Sequence, residues 1–248
     1  TTQEAKDGLN AAIESANKAV SEGLTLEVYN EQVAGLNAAI KAGQEAIDAA
    51  TALEKRNDNH NDKLTSVGEE SYDAYVDTDG FAELEKVVLE IEGKISGEGI
   101  FASMEEIDDY NAKINKAYTK MVSGVIDFST ASKDAPVDAT GLIITPGFQT
   151  RTFNETTQVW EDASSSDGWT ATGGTATSGL NYEIFNDTAG IHQKLYNMPA
   201  GYYRLVYNGF YRAGDITPAA LSRREGVEPL NAQVYLAVSY THLRAHET

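Results

Sequence analysis

The run Ala200-Gly-Tyr-Tyr-Arg-Leu-Val-Tyr-Asn-Gly-Phe-Tyr-Arg-Ala-Gly-Asp215 alternates in the way an extended chain does. Tyr203, Leu205, Tyr207 and Tyr211 share one face, and Arg204, Val206, Asn208 and Arg212 share the other. That is the pattern of a half-buried strand, entered through a Pro199/Gly201 turn and closed by Ala213-Gly-Asp215. Nothing before Gly141 reads like it. The chain therefore changes architecture partway along, from an acidic helical half to a β-rich one.

Outward from that strand, the second half continues as short extended segments between turn-forming clusters. Leu142-Ile-Ile144 runs into Thr145-Pro-Gly-Phe148, and Asp167-Gly-Trp-Thr-Ala-Thr172 follows a long polar stretch. Asn181-Tyr-Glu-Ile-Phe185, Gly190-Ile-His-Gln-Lys-Leu195 and Asn231-Ala-Gln-Val-Tyr-Leu236 complete the set. Short strands separated by Gly, Pro, Asn and Asp predict a β-sandwich or jelly roll.

The first half has helical spacing instead. Leu9, Ile13, Ala16 and Val20 lie on one face of a helix that Gly23 ends. Val33, Leu36, Ile40, Ile47 and Ala50 mark a second helix, and Phe81, Leu84, Val88, Ile91 and Ile95 a third. Ser103-Met-Glu-Glu106 opens a fourth with a capping box, continuing through Ile107, Tyr110, Ile114, Tyr118, Met121 and Val125. The hexamer Gly-Leu-Asn-Ala-Ala-Ile occurs at 8–13 and again at 35–40, a hint of an internal helical repeat. Each apolar stripe is one face wide, so the helices are expected to pack together as an antiparallel bundle. The expected organisation is an acidic helical bundle over 1–128, a small-residue linker over 129–141 and a β-sandwich over 142–237.

Composition sharpens the division. Residues 1–134 hold 27 acidic and 12 basic side chains, and eleven of those twelve are Lys. Beyond 134, six of the seven basic residues are Arg and both Trp appear. The net charge of −19 disfavours a phosphate-backbone partner, so no nucleic acid is expected. It also disfavours adsorption to anionic lipid. No apolar run reaches the roughly 18 residues a membrane span requires, so no membrane insertion is expected. The absence of Cys excludes disulfides, thiolate chemistry and Cys-ligated zinc.

Thr145-Pro-Gly-Phe148, Gly168-Trp169, Ile191-His-Gln193, Pro199-Ala-Gly-Tyr-Tyr203 and Gly209-Phe-Tyr-Arg-Ala-Gly214 together resemble the galactose-binding-domain-like jelly rolls. They are most similar to those that follow helical repeats in long secreted or surface proteins of gut bacteria. The resemblance spans roughly 142–236 and its motifs are structural. It implies a secreted or cell-surface location and a packed position for Trp169. Many relatives hold a structural calcium near the strand that starts the domain. Here Thr145 stands where Asn is usual and Gln149 where Glu is common. An amide brings no negative charge to a cation that prefers carboxylates, so neither calcium nor any other cofactor is expected. Val238–Thr248 resembles, in one reading frame, a transposon adapter used in DNA sequencing libraries. The natural sequence is therefore expected to stop near Ala237, with the β-sandwich truncated.

A glycan site needs an aromatic face to stack on sugar C–H surfaces, with Asp, Asn or Arg beside it for the hydroxyls. Trp160-Glu-Asp162, in a polar stretch, is the best such cluster, with Asn186-Asp187 and Arg212-Ala-Gly-Asp215 as partners. The candidate ligand residues are thus Trp160, Asp162, Asp187, Arg212 and Asp215. Asp58-Asn-His-Asn-Asp62 lacks the Gly and distal Glu of a calcium loop; a solvated turn between helices is the expected reading. His192, in an alternating strand, has no Asp–Ser partner in view. No paired carboxylates, phosphate loop or nucleophile elbow marks a catalytic centre. The expected function is non-catalytic binding of a glycan or glycoprotein, with the helices as spacer. A structural stalk that contacts protein neighbours, or an accessory region of a longer glycoside hydrolase, are the alternatives.

Overall fold

The computed structural model describes residues 1–97, 99–173, 181–184, 188–209, 216–226 and 234. They fall in two compact units, Thr1–Pro199 and Ala200–Thr248. The first unit holds α1 (Gln3–Glu22), α2 (Leu26–Thr65), α3 (Asp79–Ser96) and α4 (Met104–Ser123). These form a four-helix bundle, which is followed by two small antiparallel sheets. One pairs β1 (Gln149–Asn154) with β2 (Val159–Ser164), and the other pairs β3 (Thr170–Thr172) with β4 (Gly190–His192).

Each helix starts where a hydroxyl meets the first free amides. Thr2, Thr25, Thr78 and Ser103 all accept from the amide three residues on. The expected capping box at Ser103 is present in modified form: Ser103 Oγ takes the Glu106 amide at 3.3 Å, while the Glu106 carboxylate takes the Ala102 amide at 2.5 Å. Gly23 ends α1 with φ +97°, a conformation that favours glycine.

α3 and α4 run antiparallel, as their ion pairs show. Lys94–Glu106, Glu90–Lys113 and Glu83–Lys120 lie in reverse order along the two helices. Between them Leu84, Val88, Ile91, Ile107, Ile114 and Met121 are buried, as their spacing predicts. Gly80 makes this approach possible: a Cβ there would stand 2.0 Å from the Met121 amide nitrogen.

α2 is longer than its apolar stripe suggests. The expected turn at Asp58–Asp62 lies inside the helix, and His60 and Asn57 are buried. The turn expectation is thereby overturned. Leu53, Asn57, His60 and Leu64 keep three-and-four spacing, so the inward face continues through polar residues, each with one hydrogen bond to a neighbour and one buried atom, Asn57 Oδ1 and His60 Nε2, without a partner. Asn57 donates to the Val88 carbonyl at 3.1 Å.

The forty residues of α2 serve two neighbourhoods. Its second half packs on α3 and α4, with Leu53 in the main core. Its first half pairs with α1 through small residues, among them the buried Ala5, Ala19 and Ala46. Ile13, Val20, Val33, Ile40 and Ile47, expected in a bundle core, are instead exposed. They sit one position round from the alanine seam, which lets the two helices close without them.

Residues 129–141 lie within the first unit, and Leu142 is fully buried in the helical core. Among the described residues the sheets do not close into a sandwich or jelly roll. The described part of the aromatic run, through residue 209, carries no strand pairing, and Tyr202 and Val206 are exposed. A strand exists only with a partner to take its amides, and the strand expected at 231–236 lies outside the described residues except for Val234. In the second unit α5 (Ile216–Glu225) is helical.

Candidate functional site

The β1–β2 hairpin carries the sequence-derived site residues that the structure describes. Its register pairs Phe153 with Trp160 and Arg151 with Asp162, so all four side chains fall on one face. The Phe153 and Trp160 rings meet at a centroid distance of 5.7 Å, tilted 57°. Both are half-buried. Trp160 thus rests on a neighbouring ring on the hairpin and is not part of the helical core.

Arg151 lies two residues along from Phe153 and fixes the polar end. Its guanidinium donates to the Trp160 carbonyl at 2.8 Å, pairs with Glu70 at 2.5 Å and approaches Asp162 at 3.6 Å. The Asp162 side chain is 85 % exposed, so its carboxylate remains open to a ligand. On the opposite face Lys63 donates to Thr150 Oγ1 at 3.1 Å, and Asn59 of α2 donates to the Arg151 carbonyl at 3.0 Å. The hairpin therefore lies with its threonine face toward α2 and its aromatic face away. At its tip Asn154 Oδ1 accepts from the Thr156 and Thr157 amides, and Asn154 donates to Glu161 at 3.0 Å.

Just beyond β2, a buried polar cluster fastens the chain to α2. The Asp167 carboxylate pairs with the Arg56 guanidinium and lies 3.4 Å from His60 Nε2. His60 Nδ1 is 2.9 Å from the Tyr72 hydroxyl, and Tyr118 rings the same space. Arg56 also reaches the Asn111 carbonyl at 3.1 Å, Asn111 Oδ1 at 2.9 Å and Asn115 Oδ1. Burial alone would push the Asp167 carboxyl up, but Arg56, His60 and Lys63 together hold it down at about 2. Burial pushes His60 below its ordinary value, against the pull of Asp167. A neutral His60 then accepts from the Tyr72 hydroxyl through Nδ1 and turns Nε2 toward Asp167 without a hydrogen bond to it. Burial raises Tyr72 well above the phenol range and Tyr118 to about 12, so both keep their protons.

An Asp–His–Tyr row of this kind has the shape of a proton relay. Here His60 and Tyr72 are buried, at 2 % and 9 % exposure, and the Asp167 side chain is 20 % exposed, so no substrate reaches the hydroxyl. The cluster is a clasp. It orients the β-segment on the helices, and the expected site is built on the outside of what it holds.

The motif residues of the second half converge beside the clasp. Gln193 bonds the backbone of Ile144 in both directions, at 2.8 and 3.0 Å. Thr145 donates to the Asp167 carbonyl at 2.6 Å, and the Trp169 indole donates to the Thr145 carbonyl at 3.3 Å. Trp169 is half-buried against Phe148, at 5.2 Å between centroids, and Phe148 meets Tyr182 at 5.5 Å. Gly168 has φ +79°, and a Cβ there would fall 2.7 Å from the Ile144 Cβ. Only glycine fits this turn.

Of the other expected ligand residues, Asp187, Arg212 and Asp215 lie outside the described residues. The structure brings Trp160 and Asp162 together and adds two residues the sequence reading missed, Phe153 and Arg151. Both stand at alternate positions in Gln149-Thr-Arg-Thr-Phe-Asn154, an alternation that marks a strand. The clasp was missed as well. Its one sequence signal is that Arg56 is the sole arginine among the first 134 residues, where every other basic residue is Lys. A buried ion pair favours the planar, weakly hydrated guanidinium. Among the described residues no group of His, Asp and Glu is arranged to hold a metal ion, and no helix is long and apolar enough to cross a membrane. In comparisons with known proteins, no family model, no curated protein and no solved structure matches the chain.

Proposed function

We propose that this chain is a non-catalytic glycan- or glycoprotein-binding module carried on a helical spacer, part of a secreted or surface protein. The observation that carries the reading is the outward face of the β1–β2 hairpin. Phe153 and Trp160 supply an aromatic ledge, and Arg151 and the open carboxylate of Asp162 supply the polar contacts at its end. A pyranose stacks its C–H face on such a ledge while its hydroxyls bond the charged groups beside it. Arg151 is held by Glu70 and the Trp160 carbonyl before any ligand arrives, which lowers the ordering cost of binding.

In this reading the second half is a galactose-binding-like jelly roll. The support is the resemblance of the turn motifs and the way Ile144, Thr145, Gly168, Trp169 and Gln193 come together in one hydrogen-bonded knot. The test is a glycan array followed by calorimetry on the best saccharide, with Trp160→Ala and Asp162→Ala beside the parent. The expected result is binding that Trp160→Ala weakens at least tenfold while the helical circular dichroism is unchanged. An array without hits, or affinity indifferent to both substitutions, would refute it.

A purely structural role is the second reading. What favours it is the length of α2, forty residues or about 60 Å, suited to holding domains apart. It predicts no saccharide affinity at any residue of the hairpin.

A further inference from the structure

The α1–α2 hairpin leaves one broad face uncovered. The repeated hexamer lies at 8–13 and 35–40, and its two copies are equidistant from Leu24, at the centre of the turn. They therefore stand opposite one another and are related by a local two-fold axis perpendicular to the plane of the pair. Such an axis keeps equivalent residues on the same side. Ile13 is equivalent to Ile40 and Val20 to Ile47, and Val33 lies seven residues before Ile40. All five lie one position past the seam, which is Ala at 12, 19, 39 and 46 and Gln at 32, about 100° around the helix, and are 38–65 % exposed.

Beside them on that face, at the next exposed position of each heptad, stand Asn10, Asn17, Asn30, Asn37 and Gln44, also exposed. The acidic and basic residues Glu14, Lys18, Lys41 and Glu45 point further round. Lys6, one heptad before Ile13, is also exposed on this face; apart from it, a chain with a net charge of −19 presents an aliphatic and amide surface there.

We propose that this face is the contact between two copies of the chain. Three features choose a second copy over another occupant. The face is close to two-fold symmetric within itself, broken where Val33 answers to Lys6, and an isologous contact sets one patch against its own copy. It carries no carboxylate among its isoleucine and amide positions, so two strongly acidic chains approach without acidic groups meeting across its centre. Its extent is adequate: about 30 Å by 18 Å, two helices wide, buries about 1,100 Å² in total when doubled, just past the ~1,000 Å² that a specific interface needs. The product is a four-helix contact in which aliphatic side chains interdigitate and the amides pair at the rim. The inference is independent of the glycan reading.

The test is sedimentation equilibrium of the full chain from about 5 to 500 µM, beside Ile13→Glu/Ile40→Glu and a control, Ser15→Glu, on the opposite face. Both isoleucines are exposed, so the double variant keeps its helical circular dichroism. The expected result is a reversible monomer–dimer equilibrium that the double variant weakens at least a hundredfold and the control leaves unchanged. A parent monomeric at every concentration would overturn the proposal. So would self-association that the double variant retains, since the contact would then lie elsewhere, the second unit included. Association lost equally in the control would also overturn it.

Discussion

Replacing Asp167 by Asn keeps the shape of the clasp and removes its negative charge. Arg56 then stays buried and charged, as a guanidinium always is. Removing one partner of a buried pair costs about 3–5 kcal/mol. Arg56 retains three oxygens, from Asn111 and Asn115, which puts the expected loss at the low end, about 3 kcal/mol. With a urea slope of about 2–3 kcal/mol per molar, the midpoint should fall by about 1–1.5 M. The assay follows two signals. Circular dichroism at 222 nm reports the helices, and tryptophan fluorescence reports Trp160 and Trp169, the two tryptophans of the chain, on either side of Asp167. In the parent the two transitions should coincide. In Asp167→Asn the fluorescence transition should come first, because the β-segment has lost its charged tie to α2. A cycle with Arg56→Met should show a coupling of at least about 1.5 kcal/mol. Coincident transitions with an unmoved midpoint would refute the clasp as the element that holds the two halves together.

Four further outcomes follow from the same structure. Gly80→Ala should destabilise the bundle by about 3 kcal/mol or more, because the new methyl meets the Met121 backbone, which cannot turn aside; a thermal melt within 2 °C of the parent would contradict it. Gly168→Ala should shift the fluorescence transition while sparing the helical one, since it strains a turn at φ +79° and strikes Ile144. Ser103→Ala should cost about 1 kcal/mol by removing the cap of α4, read from a urea midpoint. The last concerns acid. His60 is held neutral below its unfolded value, so as pH falls through about 6.5 the unfolded chain takes a proton the folded one refuses, and stability drops. Asp167, held at about 2, adds a second loss below about pH 4. Burial and neighbouring acids raise Asp58 and Asp62, which act in the opposite sense in the acid range, so the slope is read between pH 5.5 and 7. There His60→Gln should flatten the slope of urea midpoint against pH.

The helices were legible because their apolar stripes and caps are local features. Leu84, Val88 and Ile91 repeat at the spacing of one helix face, and Ser103 and Glu106 lie within one turn of each other. α2 was read short because its inward face passes from Leu53 to Asn57 and His60. Polar residues at core positions look like a solvated turn until their partners, Val88, Tyr72 and Asp167, arrive from far along the chain. The same reason hid the clasp, since Arg56 and Asp167 are joined only by the fold. Ile13, Ile40 and Ile47 misled in the opposite way: a stripe says that a face is apolar, not that it is covered. For the site, Trp160 and Asp162 were found by residue type, whereas Phe153 and Arg151 became neighbours through strand register. The aromatic run at 200–215 identifies strand chemistry, but pairing is a property of two segments.

One consequence of the unbroken α2 concerns insertions and deletions. Its first half pairs with α1 and its second half is fixed by the clasp, while the first residues of α1 bond Phe101 and Ala102 just before α4. The α1–α2 hairpin is thus tied to the bundle at both ends. Deleting one residue between Ala50 and Leu53 would turn the isoleucine face through about 100° and pull those bonds apart. Removing seven would nearly restore its direction but draw α1 about 10 Å along its axis, which breaks the same bonds. Homologous chains should therefore match a heptad lost from this segment of α2 with one lost from α1, so the two helices change length together.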